Sequence, residues 1–300
     1  MIIYERGIYM INEIEAKKLL ITNKHPSYWF GVKYYLNIYR GCMHGCIYCD
    51  TRSECYKIDN FDTDISVKTN SIELLKKELS SKRYRETIGF GSASDPYVPI
   101  EKKYELTKQA LGVVKDFGFP LFLLTKSNMV IRDTEIISNI NKQNYACIAF
   151  TITTADDNLA RIIEPHAPLP SERFKAMSIL SLVGIKTGAV VMPMLPYITD
   201  TEENITNIVK QTKLHDGSFV YPSFGVTLRD RQRDYFYNNI DDNTKKKYID
   251  KYKNYYQCTS PNYRKLKTAF INSCKEHNIS SEMPSYAKEN SIYNQLNLFK

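Results

Sequence analysis

The chain is predicted to take an α/β fold: a partial (β/α)6 TIM-type barrel, or a strongly curved sheet of the same order, with a helical basic C-terminal segment. Three observations predict it. Short apolar runs alternate with helix-length polar segments from about residue 33 to 230, a rhythm that implies βαβ units, a parallel sheet and right-handed crossovers. About six such units fit, two short of a closed eightfold barrel. Three cysteines crowd one loop after the first of them, and the site of such a fold lies at the C-terminal strand ends.

The first strand is expected near residues 33–39. The later apolar runs are "TIGFGS" (87–92), "FPLFLLT" (119–125), "YACIAFTIT" (145–153), "IKTGAVVMPML" (185–195) and "GSFVYPSFGVTL" (217–228). Helices are expected between them, at about 71–84, 101–117, 132–141, 171–183 and 201–213. Asn70 or Ser71 before "IELLKKEL", and Ser171 before "ERFKAMSIL", are suitable helix starts. After residue 229 the chain turns charged and aromatic. Residues 229–275 hold twelve Lys/Arg and five Asp/Glu, a net +7, with seven tyrosines. The division expected is an N-terminal extension (1–32), a core domain (33–230), a helical basic C-terminal segment (231–280) and a flexible tail (281–300).

Composition narrows the class. With 43% apolar and 25% charged residues, the chain has the balance of a globular protein. No stretch reaches the roughly 18 apolar residues of a membrane span. The opening "MIIYERGIYMINEIEAKK" lacks a basic region followed by a long apolar one, so no secretory signal is expected. The expected location is cytoplasmic, where clustered cysteines bind metal or do chemistry rather than form disulfides. A net charge of +8 with twenty-three tyrosines is compatible with a nucleic-acid partner, and equally with an AT-rich genome.

The stretch "YRGCMHGCIYCD" carries Cys42, Cys46 and Cys49. Three thiolates from one short loop suit three corners of an iron–sulfur cluster and leave one iron without a protein ligand. Gly41 and Gly45 let the backbone turn tightly past it. The other reading is a zinc site, which would take Cys55 or His44 as a fourth ligand. Cys55, Cys147, Cys258 and Cys274 are too scattered for a second cluster and read as free, Cys147 as a core thiol.

With Tyr48 before its last cysteine, the loop resembles the radical S-adenosylmethionine (SAM) signature. Together with "GFGSASDPYVPIE", "LLTKSNMVIRD", "FTITTADDNLARIIEPHAP" and "VMPMLPYITD", it resembles the spore photoproduct lyase-like family over about residues 33–230. That resemblance implies a [4Fe-4S] cluster on Cys42, Cys46 and Cys49, with SAM chelated by the open iron. It also implies an electron donor such as flavodoxin or ferredoxin, and reductive cleavage of SAM to a 5′-deoxyadenosyl radical that abstracts a hydrogen atom from the substrate.

The same resemblance assigns the SAM site. Tyr48 would lie near the adenine. Ser92, Ser94 and Asp95, emerging from a strand end, would accept from the SAM ammonium, although "SASDPY" is also an ordinary Asp-Pro turn. Lys126 would hold the SAM carboxylate, or else pair with Asp95. Thr153 is the choice over Thr151 for a ribose or methionine contact. Glu164 and His166 in "IIEPHAP" are placed at the mouth, although a lone His there reads more readily as a surface-loop residue.

Two departures bear on the substrate. Where spore photoproduct lyase carries a hydrogen-donating cysteine, this chain has Ser92, Ala93 and Ser94, and Asp50 stands where the lyase has tyrosine. Nucleic acid is the expected substrate class, DNA favoured, with RNA, a protein or peptide, or a non-catalytic metal module as alternatives. Neutralising Lys245, Lys246 and Lys247 is the sequence-level test for nucleic acid. Gln295, Leu296, Leu298 and Phe299 in "QLNLFK" resemble the peptide by which bacterial repair and replication proteins dock on the polymerase sliding clamp.

Overall fold

The structure, a computed structural model, describes residues 2–4 and 7–286. The clamp-like residues Gln295, Leu296, Leu298 and Phe299 lie outside them. Six parallel strands form the central sheet: β1 (Tyr34–Leu36), β2 (Ile88–Phe90), β3 (Leu121–Thr125), β4 (Ala146–Thr151), β5 (Lys186–Val191) and β6 (Phe219–Pro222). They lie side by side in chain order, and Leu20–Thr22 adds an antiparallel edge strand beside β1. The connecting helices are α1 (Ser71–Ser80), α2 (Leu106–Asp116), α3 (Thr134–Gln143), α4 (Pro170–Leu182) and α5 (Glu202–Leu214). This is the predicted partial barrel, with its six βα units.

Period-two alternation gives each strand two buried faces. Leu121, Leu123, Ile148, Phe150, Ala189 and Val191 face the helices in the main core. Phe122, Cys147, Ala149, Val190 and Phe219 form an inner layer with Phe30, whose ring stacks on Phe122 at 4.1 Å. Cys147 is wholly buried there. Strand β4 is buried at every position, which is why its sequence is a continuous apolar run.

The first predicted strand divides. Tyr34–Leu36 joins the barrel, whereas Tyr39–Arg40 pairs with Asp64–Lys68 in a second sheet that includes Gly7–Ile14. Between the two pieces Asn37 turns its amide to Ser92 and the Ala93 N–H. Asn70 does not cap α1 with its side chain. It exchanges hydrogen bonds with the Ala16 backbone at 2.9 and 3.0 Å, fastening the N-terminal strands to the helix start. Helix α4 begins at Pro170, one residue before the expected start, because the Glu172 carboxylate accepts the Leu169 N–H and Ser171 binds Asp157 instead.

The C-terminal segment closes the open edge at β6. Helix α6 (Tyr263–Glu276) packs on α5, and Val220 N donates to Ser280 O at 2.9 Å. Before it, helices Asp230–Asn238 and Asp242–Tyr252 bury Phe236, Tyr237, Tyr248 and Tyr252 against Cys46, Ile47 and Tyr48 in a core of their own. Among the described residues, no helix is long and apolar enough to cross a membrane.

Gly91 ends β2 with φ +89°, and a Cβ there would stand 2.0 Å from the Leu124 carbonyl oxygen. Gly184, φ +79°, has nothing within 4 Å. Gly184→Ala should therefore lose only the ~1–2 kcal/mol of left-handed backbone. Gly91→Ala should lose distinctly more, read as a lower thermal unfolding midpoint than that of Gly184→Ala. Equal midpoints would contradict the close approach of β2 and β3.

Candidate active site

The cysteines lie in an irregular loop that leaves Tyr39–Arg40 at Gly41. Such a loop must find backbone partners elsewhere, and it does so on three sides. Cys42 N donates to Phe61 O at 3.1 Å and the Ser94 hydroxyl to Gly41 O at 2.5 Å. Ile47 N donates to Ile163 O at 3.0 Å and His166 N to His44 O at 3.1 Å. Gln232 Nε2 donates to Tyr48 O, and Arg52 to Cys46 O, each at 3.1 Å. A Cβ on Gly45 would stand 2.9 Å from the His166 ring, so the "IIEPHAP" segment is the bed on which this loop lies.

All three thiols face a cavity of about 910 Å³ at the C-terminal strand ends, within the range of ligand sites. Burial pushes their pKa values up, Cys46 to about 12, so a thiolate here calls for a cation beside it. Tyr48, Ser92, Ser94, Asp95 and Lys126 share this wall. Thr153 does not line the cavity. It lies behind Tyr48, its hydroxyl 3.1 Å from the phenol oxygen, and Thr151 takes the lining position expected of it.

Most of the polar groups already have protein partners. The Ser94 hydroxyl is committed to Gly41, and Ser92 exchanges hydrogen bonds with the Asn37 amide. Asp95 accepts from Tyr97 N at 2.9 Å, the Thr125 hydroxyl at 2.7 Å and Lys126 N at 2.7 Å. Asp95 thus ties the ends of β2 and β3 together, and it takes the lysine's backbone rather than its ammonium. The Lys126 Nζ stands 5.5 Å from the Tyr48 ring centroid and has no ion-pair partner among the described residues. Burial opposes its charge, but Cys46 and Glu164 outweigh burial and raise its pKa.

Below Tyr48 lies a network that local sequence reading missed. The Tyr48 hydroxyl donates to Glu164, and Arg173 donates to the other oxygen of that carboxylate. Arg173, 0% exposed, also donates to Pro168 O and Thr151 O, each at 2.8 Å. Burial works against the Glu164 carboxylate, yet Arg173 and then Lys126 hold its pKa below the usual range. A signal was present: Arg173, Ala176, Met177 and Leu180 share the buried face of α4 at i, i+3, i+4, i+7. Glu164 is therefore buried beneath the wall rather than at the mouth, and His44 is buried with its imidazole lowered to about 4 by burial.

Three arginines of the basic segment are spent on structure. Arg229 pairs with Asp50 at 3.0 Å and Arg231 with Asp59 at 3.0 Å, while Arg233 donates to the carbonyls of Leu228, Asn254 and Tyr255. Of its seven tyrosines, Tyr237, Tyr248 and Tyr252 are core, whereas Tyr255, Tyr256 and Tyr263 are exposed.

A six-unit partial barrel with a three-cysteine loop at its strand ends defines a class, and the chain belongs to it: the radical SAM superfamily, whose sequence model matches residues 36–209. An uncharacterized protein of Mycobacterium tuberculosis is 32% identical over 210 residues, covering 68% of this chain and 62% of that protein. One of Methanocaldococcus jannaschii is 34% identical over 194 residues, covering 64% of this chain and 70% of the relative. The chain thus spans about 62% of the length of the mycobacterial protein. Among solved structures, spore photoproduct lyase complexed with dinucleoside spore photoproduct is similar with a TM-score of 0.66 at 15% identity, over 89% of this chain and 79% of that one. That likeness is one of fold.

The Glu164–Arg173 pair yields a test. Arg173→Met strands a buried carboxylate and should cost about 3–5 kcal/mol. The double variant Arg173→Met, Glu164→Met should recover most of that loss, because an apolar pair of similar volume is tolerated where a lone charge is not. Thermal unfolding of the three proteins measures both effects, and a single variant as stable as wild type would contradict the pairing.

Proposed function

We propose that the chain is a radical SAM enzyme acting on nucleic acid, DNA in preference to RNA or peptide. The observation that carries its chemistry is the wall shared by two buried cysteines, the half-buried Cys49 and the unpaired ammonium of Lys126. The donor set fits a [4Fe-4S] cluster: three thiols from one loop, with no fourth cysteine lining the cavity. It fits zinc less well. His44 turns Nδ1 to Asp95 at 3.6 Å, and Cys55 is exposed beside Ser53, so neither candidate fourth ligand is turned to the three thiols.

Cys42, Cys46 and Cys49 would hold the cluster. With SAM bound and an electron from a donor such as flavodoxin or ferredoxin, the cofactors supply reductive SAM cleavage and hydrogen-atom abstraction. The chain's part is position and dryness. Lys126 would take the methionine carboxylate and Tyr48 would offer its ring to the adenine, while the Glu164–Arg173 pair keeps that ring in place. Ser92, Ser94 and Asp95 shape the wall, and any contact they make with the SAM ammonium uses lone pairs left over from their protein bonds. Thr153 acts through Tyr48.

Nucleic acid as substrate is supported by the resemblance to spore photoproduct lyase, whose similar structure holds a dinucleoside spore photoproduct, and by the clamp-like peptide at Gln295, Leu296, Leu298 and Phe299. A cytoplasmic location belongs to the same reading, since cluster thiols need reducing surroundings.

Anaerobic reconstitution tests the chemistry. About four irons per chain and dithionite-dependent 5′-deoxyadenosine are expected, with iron lost in Cys42→Ala, Cys46→Ala or Cys49→Ala. Lys126→Ala should keep its iron and bind SAM about tenfold or more weakly. Stoichiometric zinc without SAM turnover would overturn the proposal. Product analysis with damaged and undamaged DNA in the same assay tests the substrate.

A further inference from the structure

Two sets of cations in the C-terminal segment differ in what holds them. Arg229, Arg231 and Arg233 are held by Asp50, Asp59 and backbone carbonyls. Arg264, Lys265 and Lys267, on the first turns of α6, are exposed and have no ion-pair partner among the described residues. Of these three cations, only Lys267 lines the cavity that holds the cysteines.

Tyr263 stands one helical turn before Lys267, on the same face, and lines the same cavity. The residue is 41% exposed, although aromatic carbon is costly to leave in water. Phe224 meets that ring nearly at right angles at 5.6 Å, and Phe270 in turn packs on Phe224 at 6.2 Å. The ring is therefore braced by protein while much of it stays open. The Lys267 Nζ lies 6.0 Å from its centroid. An open, braced aromatic ring with an unpaired ammonium beside it is the pair of groups that binds one nucleotide of a single strand: a base stacked on the ring and a phosphate on the cation.

We propose that Tyr263 and Lys267 form a nucleotide subsite at the cavity mouth, stacking one base and pairing its phosphodiester so that a neighbouring nucleotide enters the cavity. This rests on the nucleic-acid reading above and deepens it. It requires a strand whose bases are unstacked, because a base in a duplex presents no free face to the ring.

The test is anaerobic titration of the cluster-loaded chain with a fluorescein-labelled thymidine decamer, its uridine counterpart and an acidic peptide of equal charge, over a range of salt. Tyr263→Ala should weaken oligonucleotide binding by about 5- to 150-fold and leave the salt slope unchanged, with Tyr263→Phe restoring affinity. Lys267→Ala should lower the slope of log K against log salt by about 0.7, the loss of one phosphate contact on a single strand. Lys76→Ala, exposed on α1, which does not line the cavity, should keep the wild-type slope. The thymidine and uridine arms show whether the subsite takes DNA, RNA or both. Wild-type affinity and slope in both subsite variants would overturn the subsite while the nucleic-acid reading stands. No oligonucleotide binding by wild type would overturn both. Peptide binding that Tyr263→Ala and Lys267→Ala weaken equally would replace the nucleotide with an acidic side chain.

Discussion

The structure depends on keeping an irregular cysteine loop buried with its backbone satisfied. Helices and strands pair their own amides and carbonyls, whereas residues 41–49 must borrow partners from distant chain. Phe61, Ser94, Ile163, His166 and Gln232 supply them, and Arg52, just after the loop, adds a bond to Cys46 O. The distant contacts arrive from the turn before Asp64–Lys68, the β2 loop, the segment after β4 and the C-terminal helices. Parts of the chain that look peripheral to a barrel are thereby made necessary to its site.

Charge serves the same end at two scales. The Glu164–Arg173 pair is wholly buried, 1% and 0% exposed at its side chains, and its loss on one side strands a charge. The Arg229–Asp50 pair is about a third exposed on each side, 33% and 34%, and is worth at most about 1 kcal/mol. The first fixes the ring of Tyr48 at the cavity wall. The second is one of several weak clasps, with Ser53 to Asp230 at 2.7 Å and Arg231 to Ile58 O at 2.6 Å, that together close the C-terminal segment over the cysteine loop. Arg52 joins them, stacked on Tyr235 at 3.7 Å and paired with Asp62.

What was legible in the sequence is what local periodicity carries. Six apolar runs gave six strands, the helices fell within a few residues of their expected places, and the cysteine spacing announced the site. Lys126 was foreseen at a strand end, where it lies. What escaped was long-range pairing. Asp50 and Arg229 are 179 positions apart, so no window of sequence relates them. The N-terminal sheet joins Met10–Ile14 to Asp64–Lys68, and Ser94 and Asp95 proved to be tied to the backbone of other segments. The +7 of the basic segment overstated its free charge, because a count cannot distinguish a paired arginine from an open lysine.

Tyr48, Lys126 and the cysteines on one wall amount to a cofactor site only if one metal position is left open to SAM. Electron paramagnetic resonance of the dithionite-reduced, reconstituted chain tests that most directly. The account predicts a reduced [4Fe-4S] signal that changes when SAM is added, because SAM would bind the iron that no cysteine holds. A cluster signal indifferent to SAM at saturating concentration, or no iron signal from a chain loaded with zinc, would contradict it.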